Sequence, residues 1–172
     1  MENQLSQNIL DDNKKAVDEA VAIQSECLVM VVGGLKPNSK DLIGSRKQIE
    51  EGLFKILEYA RTVKMPIAIE PLHPMYAADR ACVNTLKHAL DICDGMGTGI
   101  GIAVDVYHTW WDPELKSQIK RAGKERLLAF HLSDWLMETK HLLLDRGMMG
   151  DGVIDISRIR KWMESESFEM LN

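Results

Sequence analysis

The sequence has few cysteines and no long apolar run, and both absences narrow the class of protein. Cys27, Cys82 and Cys93 form no C-x-x-C pair and are odd in number, so neither a disulfide framework nor a thiolate zinc site is expected. No segment approaches the ~20 apolar residues of a transmembrane helix, and the polar segment 1–15 lacks the apolar stretch of a signal peptide. We therefore expect a cytoplasmic protein with no membrane partner.

Basic residues are scarce relative to acidic ones. The chain carries 21 Lys and Arg against 26 Asp and Glu, a net charge of −5. A nucleic-acid-binding surface uses a basic face to neutralise phosphates, so no nucleic-acid partner is expected. The 172 residues suffice for one domain, which at this size buries roughly two-thirds of its unfolded surface.

Apolar runs and helical patterns alternate along the whole chain. The strand candidates are residues 27–32, 66–72, 100–107 and 127–132. The helix candidates are 12–24 with Asp12 as N-cap, 45–63, 79–93, a short helix starting at Asp112-Pro113, and 156–166. Continuous apolar strands separated by helices are typical of a parallel sheet covered by helices. The predicted fold class is therefore α/β, as either a doubly wound sheet or a (β/α) barrel.

A glycine-rich segment at residues 95–101, GMGTGIG, superficially resembles a phosphate-binding loop. A dinucleotide loop must follow a strand and open a helix, whereas this segment follows a helix and precedes a strand. We interpret it as a helix-to-strand turn, which leaves the sequence without a phosphate loop and favours the barrel.

Three short apolar runs within the strand candidates, IAIE, GIAVD and LLAFH, each end in a potential metal ligand. These residues are Glu70, Asp105 and His131, separated by 35 and 26 residues, or about one βα unit each. Strand ends in a barrel build the active site, and two carboxylates with an imidazole suit manganese, cobalt, zinc or magnesium. The alternative is that both carboxylates cap the following loops and the histidine is an ordinary half-buried one.

Three longer motifs carry a resemblance to a known family. They are AIEPLHPMYAADR at 68–80, GIAVDVYHTWWDP at 101–113, and FHLSDW at 130–135 followed by DRGMMGDGVID at 145–155. The chain from about residue 12 to 163 resembles the sugar phosphate isomerase/epimerase superfamily, whose fold is the xylose isomerase-like TIM barrel. Inosose isomerases and dehydratases, hydroxypyruvate isomerase, ketose 3-epimerases and zinc endonucleases for abasic sites belong to it.

The resemblance implies a role for several residues. Glu70, Asp105 and His131 correspond to metal ligands on the fifth, sixth and seventh barrel strands, and Glu70 also exchanges a proton with substrate carbon. His108 matches a histidine that contacts a substrate oxygen. Arg146 corresponds more loosely to an arginine that binds a substrate hydroxyl, carboxylate or phosphate.

Three further residues have two interpretations each. His73 either lines the substrate pocket or holds its loop by backbone hydrogen bonds. The indole of Trp111 either stacks on a sugar face or packs between loops. Asp134 either orients His131 from behind or caps its own loop.

The implied chemistry is proton transfer next to a carbonyl, through a metal-stabilised enediolate. The leading hypothesis is a metal-dependent isomerase or epimerase of a small sugar or cyclitol. The alternatives are a non-catalytic barrel fragment or interaction protein and, less favoured, an inosose dehydratase-type lyase or an abasic-site endonuclease.

The length does not match a whole barrel, which needs about 250 residues. The four predicted βα units match strands four to seven, so a single partial (β/α)8 TIM-barrel domain over residues 1–172 is expected, lacking the first three strands and the last. The eighth strand normally carries a fourth ligand glutamate, a role that we do not assign to Glu169, and activity is left open. Unpaired sheet edges favour self-association.

Overall fold

The structure, a computed structural model, describes residues 2–36 and 38–166, with side chains from residue 7 onward. The strands are β1 (Leu28–Met30), β2 (Ile67–Ile69), β3 (Ile100–Asp105) and β4 (Leu127–His131). The α-helices are α1 (Glu2–Ala22), α2 (Leu42–Thr62), α3 (Leu86–Met96), α4 (Val106–Thr109), α5 (Leu115–Arg126) and α6 (Ile156–Ser165). A 3-10 turn occupies Pro74–Tyr76.

All four strands form one parallel sheet in the order β1-β2-β3-β4. Every residue of β2 and β3 is buried. This burial confirms the prediction from their continuous apolar runs, which are typical of strands covered on both faces. The register places Ile67 opposite Ile100, and Asp105 opposite His131. The α/β class and the partial TIM barrel with parallel strands are confirmed.

The helices cover the sheet with apolar side chains at helical spacing. Leu57 of α2, Leu90 of α3 and Ile119 of α5 are each at most 1% exposed and share one core with the strands. Burial of one such side chain contributes about 1.5–3 kcal/mol. The helices therefore bury the outer face of the sheet and leave the carboxyl ends of its strands to the connecting loops.

Two predicted helix starts were wrong. Helix α1 begins at Glu2, so Asp12 lies inside it and is not its N-cap. Helix α3 begins after Thr85, whose hydroxyl accepts a hydrogen bond from the backbone N–H of His88. The segment 79–85 instead forms turns, because the buried amide of Asn84 donates to the carbonyl oxygens of Leu72 and Ala81.

Two further boundaries differ near β3. The strand ends at Asp105, not at residue 107, because the Asp105 side chain accepts from the backbone N–H of Tyr107 and starts α4. Helix α5 begins at Leu115, later than predicted. The Asp112 carboxylate accepts from the backbone N–H of Glu114, so it caps a turn before the helix.

The glycine-rich segment is the helix-to-strand turn that its position predicted. Gly97 and Gly99, between α3 and β3, have φ angles of 83° and 81°, which only glycine adopts without strain. Gly101, in β3, fills a different need. A Cβ there would clash with the carbonyl oxygen of Arg126 and lie 2.8 Å from Cγ of Leu128.

Replacing Gly101 with alanine is expected to lower the free energy of unfolding by about 1–3 kcal/mol, because the new methyl group overpacks the β3–β4 contact. The matched control is Gly95→Ala on the exposed surface of α3, where a Cβ meets no atom within 4 Å. That change is expected to stabilise the protein by about 0.4–1 kcal/mol. Urea unfolding measures both, and equal effects of the two variants would contradict the packing argument.

Strands β1 and β4 are the edges of the sheet in the described structure. The sheet curls, which brings Sγ of Cys27 to 3.7 Å from the carbonyl oxygen of Leu128. Self-association through these edges stays a prediction. Glu169 lies outside the described residues. Within residues 2–36 and 38–166, no helix has the length and hydropathy to cross a membrane.

Candidate functional site

The predicted ligands stand at the carboxyl ends of neighbouring strands. Glu70 directly follows β2, and its backbone N–H donates to the carbonyl oxygen of Met30, continuing the β1–β2 pairing. Asp105 is the last residue of β3, and His131 is the last residue of β4. Parallel strands point their carboxyl ends to one edge of the sheet, so the three side chains face a common space.

Four side chains meet in that space. Nδ1 of His131 lies 3.2 Å from Oε1 of Glu70. Glu70, Asp105 and His108 each offer a ligand atom, and the three atoms lie within 4.8 Å of one another. The structure thus places His108, which the resemblance assigns to a substrate oxygen, next to both carboxylates.

Asp105 directs one carboxylate oxygen into the site. Its Oδ1 accepts the backbone N–H of Tyr107 at 2.8 Å and is committed to starting α4. Its Oδ2 faces the guanidinium of Arg146 at 3.3 Å and Nε2 of His108 at 3.9 Å. The side chain is 5% exposed, so this orientation is held by the surrounding chain.

The hydrogen bonding of His108 decides where its proton sits. Nδ1 of His108 accepts the backbone N–H of His73 at 3.2 Å, so the neutral ring carries its proton on Nε2. Burial, and then the charge of Arg146, lower the pKa of His108 to about 4, which keeps the ring neutral near pH 7. Nε2 is therefore a hydrogen-bond donor facing the site, whereas a metal ligand needs a free lone pair.

The two carboxylates titrate differently because they are close together. Burial, and then the neighbouring charge of Glu70, raise the pKa of Asp105 to about 6. Burial by itself would raise the pKa of Glu70, but the hydrogen bond and charge of His131 hold it below its ordinary value. The same hydrogen bond raises the pKa of His131. The pair thus crowds negative charge into a poorly hydrated space.

This donor set fits a divalent cation. Two adjacent carboxylates repel each other when both are ionised, and a cation bound between them would offset that repulsion. Carboxylate oxygens together with an imidazole nitrogen also suit the divalent ions expected from the sequence. The Glu–Asp–His cluster could hold such an ion. Loss of the Nε2 proton would leave His108 as an imidazolate, because its Nδ1 already accepts a hydrogen bond, whereas His131 can release the Nδ1 proton that faces Glu70 and remain a neutral ring. His131 is therefore the better imidazole ligand.

Arg146 reaches the site from the long loop after β4. Its Nη2 lies 3.1 Å from Nε2 of His108, and its guanidinium covers the Tyr107 ring at 4.4 Å from the centroid. Both groups that meet at that 3.1 Å contact are donors. They therefore converge on a position that an oxygen of a bound molecule would satisfy.

Asp134 holds the loop in place. Its carboxylate is 1% exposed and accepts the backbone N–H groups of Trp135, Gly150 and Ile154 at 2.9–3.0 Å. Its own backbone pairs with Gly147, the neighbour of Arg146. Of the two interpretations of Asp134, the structure supports the loop cap.

The site opens into a cavity of about 620 Å³. Its lining includes Glu70, Asp105, His108, His131 and Arg146. The remaining lining residues are Val31, Leu72, Tyr76, Arg80, Leu132, Ser133 and Leu143. That volume lies within the usual range of small-molecule sites, about 300–1,000 Å³.

His73 and Trp111 stand beside the cavity and are not part of its described lining. The His73 ring contacts the rings of Trp111 and Trp135 at centroid distances of 5.7 and 5.1 Å. Its Nδ1 accepts the backbone N–H of Met75, and Trp111 donates to the carbonyl oxygen of His108. Both residues thus support the loops that carry His108.

Sequence reasoning missed Tyr76, Arg80 and Ser133, which line the cavity. Tyr76 and Arg80 lie in the motif after β2 that carries Glu70, and Ser133 lies in the motif after β4. The motifs could have pointed to them as loop residues at the active end of a barrel. Their spacing in the sequence does not indicate which loop side chains point into the cavity.

A second cavity of about 540 Å³ lies between helices α2 and α3. Its lining mixes acidic and apolar side chains: Glu50, Glu51, Phe54, Lys55, His88, Asp91, Ile92, Gly95 and Met96. It is a groove between two covering helices, away from the strand ends, so the candidate site is the strand-end cavity.

The sequence and the fold were compared with protein families and with solved structures. The family model described as Xylose isomerase-like TIM barrel matches residues 2–171. The crystal structure of protein SMc04130 from Sinorhizobium meliloti 1021 is 56% identical, with a TM-score of 0.92, and the match covers 94% of this chain and 59% of that one. No curated protein matches the sequence.

Two more distant structures share the fold. The crystal structure of the IOLI protein with a binding zinc atom is 18% identical, with a TM-score of 0.76, over 99% of this chain and 60% of that one. The D-allulose 3-epimerase of Methylomonas sp. in complex with D-allulose is also 18% identical, with a TM-score of 0.72, over 93% and 52%. This chain therefore spans about half to three fifths of the length of these three structures.

Proposed function

The chain belongs to the Xylose isomerase-like TIM barrel family, and from that premise we propose that it is a divalent-metal-dependent isomerase or epimerase of a sugar or cyclitol. The observation that carries the proposal is the meeting of two carboxylates and two imidazoles in one cavity at the strand ends. The D-allulose bound to one neighbour supports a small sugar substrate. Carbohydrate metabolism follows as the setting, and the cytoplasmic location stays a prediction.

We assign the metal to Glu70, Asp105 through Oδ2, and Nδ1 of His131. Three protein donors are a common set for a catalytic metal that also takes water or substrate. When bound, the ion would polarise a substrate carbonyl as a Lewis acid. Manganese, cobalt, zinc and magnesium all suit the donors, and the zinc atom in a neighbouring structure supports such an ion.

The other residues handle the substrate's proton and oxygens. Glu70 stays ionised because His131 holds its pKa low, so its carboxylate is available to accept a proton from carbon. His108 offers its Nε2 proton to a substrate oxygen, and Arg146 donates to the same region. Return of the proton from Glu70 to the neighbouring carbon gives isomerisation, whereas epimerisation also requires a second proton donor on the opposite face of the sugar.

The correspondence with the fourth to seventh units of the barrel is part of the proposal, supported by the parallel order of the four strands. A dehydratase would begin with the same proton abstraction, so the lyase alternative differs only in the fate of the substrate. The non-catalytic alternative predicts that the chain neither binds metal nor exchanges substrate protons.

A metal titration tests the proposal directly. Calorimetry with Mn²⁺ at pH 7.5 is expected to give one site per chain, and the loaded protein is expected to exchange a substrate C–H with solvent deuterium, followed by NMR. D-fructose, D-fructose 6-phosphate and D-fructuronate serve as probes. If the protein binds no Mn²⁺, Zn²⁺, Co²⁺ or Mg²⁺, the enzyme proposal is wrong.

Metal affinity is expected to fall as the pH falls. The pKa of Asp105 is raised to about 6 and that of His131 is raised above its ordinary value, so both ligands are protonated in mild acid and protons compete with the ion. The apparent Mn²⁺ association constant should drop at least about tenfold between pH 7 and pH 5. A flat profile over that range would exclude these two residues as ligands.

A further inference from the structure

We propose that the substrate of this site carries an anionic group, a carboxylate or a phosphate, which Arg80 binds at the far side of the cavity from the metal ligands. The proposal rests on the function proposed above and deepens it, because it names the substrate class. It starts from Arg80, the cationic lining residue that the proposed chemistry does not use.

The Arg80 guanidinium is oriented by the protein but forms no strong ion pair with it. Its guanidinium lies over the Tyr76 ring, 5.5 Å from the centroid, which orients it along the cavity wall. Its ion pair with Asp79 is long, at 3.9 Å, and the two side chains are 47% and 67% exposed. An exposed pair of that length contributes little, so the guanidinium can bind another anion at small cost.

The charge balance of the cavity favours an anion. A divalent ion would offset the two carboxylates of Glu70 and Asp105, and the cations of Arg80 and Arg146 would then remain in the lining. Neutral sugars bring no charge to offset them. Arginine pairs with carboxylates and phosphates through its planar fork of donors, so a charged sugar complements this lining better than a neutral one.

Unpartnered polar atoms lie around the same cavity. Among the described residues, four buried side-chain polar atoms have no hydrogen-bond partner, and three belong to cavity-lining residues: the Tyr76 hydroxyl, the Ser133 hydroxyl and Nε of Arg146. Buried polar atoms are seldom left unpaired in folded proteins. Because these atoms have almost no accessible surface, a bound polar molecule can complete their hydrogen bonding only after the surrounding side chains shift.

The arrangement also places the anion relative to the reacting carbon. Arg80 lies against Tyr76, and the Tyr76 ring meets the His108 ring edge-on at 5.9 Å. Arg80 contacts Tyr76 and Asp79, and its connection to the metal ligands runs through the Tyr76 and His108 rings. The anionic group belongs at the end of the sugar remote from the carbonyl that reacts.

Three ketoses that differ only at one end test the inference. D-fructose, D-fructose 6-phosphate and D-fructuronate present a hydroxyl, a phosphate and a carboxylate at the position remote from the carbonyl. Calorimetry on the Mn²⁺-loaded full chain is expected to show at least about tenfold tighter binding of one or both anionic sugars than of D-fructose. A preference for the phosphate identifies a sugar phosphate, and a preference for the carboxylate identifies a sugar acid.

Substitution of Arg80 decides whether it supplies the preference. Arg80→Gln is expected to remove most of the affinity advantage of the anionic sugars over D-fructose, and Arg80→Lys should retain part of it. The control is Arg160→Gln on α6, where the arginine is 52% exposed and pairs with Glu164. It should change none of the three affinities.

The results separate the two proposals. Mn²⁺ titration alone judges the metal-dependent function. If the metal binds but both anionic sugars bind no tighter than D-fructose, or if Arg80→Gln leaves their advantage intact, the anionic-substrate inference is overturned and the proposed function is not. If Mn²⁺ does not bind, the same sugar series in metal-free buffer still decides the role of Arg80.

Discussion

Replacing Glu70 with glutamine is expected to reduce deuterium exchange at substrate carbon by about 10²–10⁴-fold, the range that a positioned general base contributes. The amide cannot accept the proton, and it removes one of two carboxylate charges that face the metal. It also loses the charge-assisted contact between Oε1 and Nδ1 of His131, at 3.2 Å. Mn²⁺ affinity should therefore fall together with exchange.

Two measurements and one control make the Glu70 result specific. NMR follows the exchange and calorimetry follows the affinity, while circular dichroism checks the fold. Glu51→Gln on the exposed surface of α2 makes the same chemical change away from the strand ends, and both quantities should match the parent. Retention of exchange and affinity within twofold in Glu70→Gln would remove Glu70 from the mechanism.

Replacing Asp134 with alanine is expected to lower the free energy of unfolding by about 3–5 kcal/mol, because several buried backbone N–H groups lose one charged acceptor. Trp135, Gly150 and Ile154 all donate to this carboxylate. Asn is the milder change, since its amide keeps one acceptor oxygen but turns a donor toward other donors. Urea unfolding should give the highest free energy of unfolding for the parent, a lower value for the Asn variant and the lowest value for the Ala variant.

The pH dependence of the Asp134 contribution has a definite sign. Burial would raise the pKa of Asp134, but the backbone N–H groups of Ile154, Gly150, Gly152 and Trp135 hold it below its ordinary value. A carboxylate with a depressed folded pKa contributes fully above its unfolded pKa, about 3.9. The difference between parent and Ala variant should therefore persist at pH 5–8 and shrink as the pH falls below about 4.

A second aspartate separates the loop-holding role from ordinary helix capping. Asp155 starts α6, where its carboxylate accepts the backbone N–H of Arg158 at 3.0 Å and pairs with Nε of the same arginine at 3.4 Å on the surface, so Asp155→Ala should cost about 1 kcal/mol. Arg146 also depends on Asp134, whose backbone pairs with Gly147. Equal losses in the two alanine variants would mean that the loop does not depend on the Asp134 carboxylate.

The fold was readable from the sequence because its signals are local. Each buried strand is a continuous apolar run, and the covering helices repeat apolar residues at helical spacing. The wrong boundaries fall where a side chain acts on distant backbone. Asn84 ties its loop to the carbonyl oxygen of Leu72, and no local pattern around residues 79–85 signals that contact.

The positions of the candidate ligands were readable for a similar reason. Parallel strands bring their carboxyl ends to one edge, so residues that follow the apolar runs at Glu70, Asp105 and His131 had to face a common space. Their roles as ligands remain predictions. Arg80 escaped notice because nine residues, among them the 3-10 turn Pro74–Tyr76, separate it from Glu70, and spacing in such a connection does not define the direction of a side chain.

By itself, the sequence determined the α/β class, the parallel sheet and the edge of the sheet at which the candidate ligands lie, since periodicity and strand polarity follow from the order of residues. The family followed from the resemblance of three motifs. Only the tertiary structure decided which nitrogen of His108 carries the proton, through the backbone N–H of His73. It also decided that Asp105 titrates near 6, and that two arginines share one cavity with the ligands. These properties depend on distances between groups far apart in the chain, which burial and long-range packing alone set.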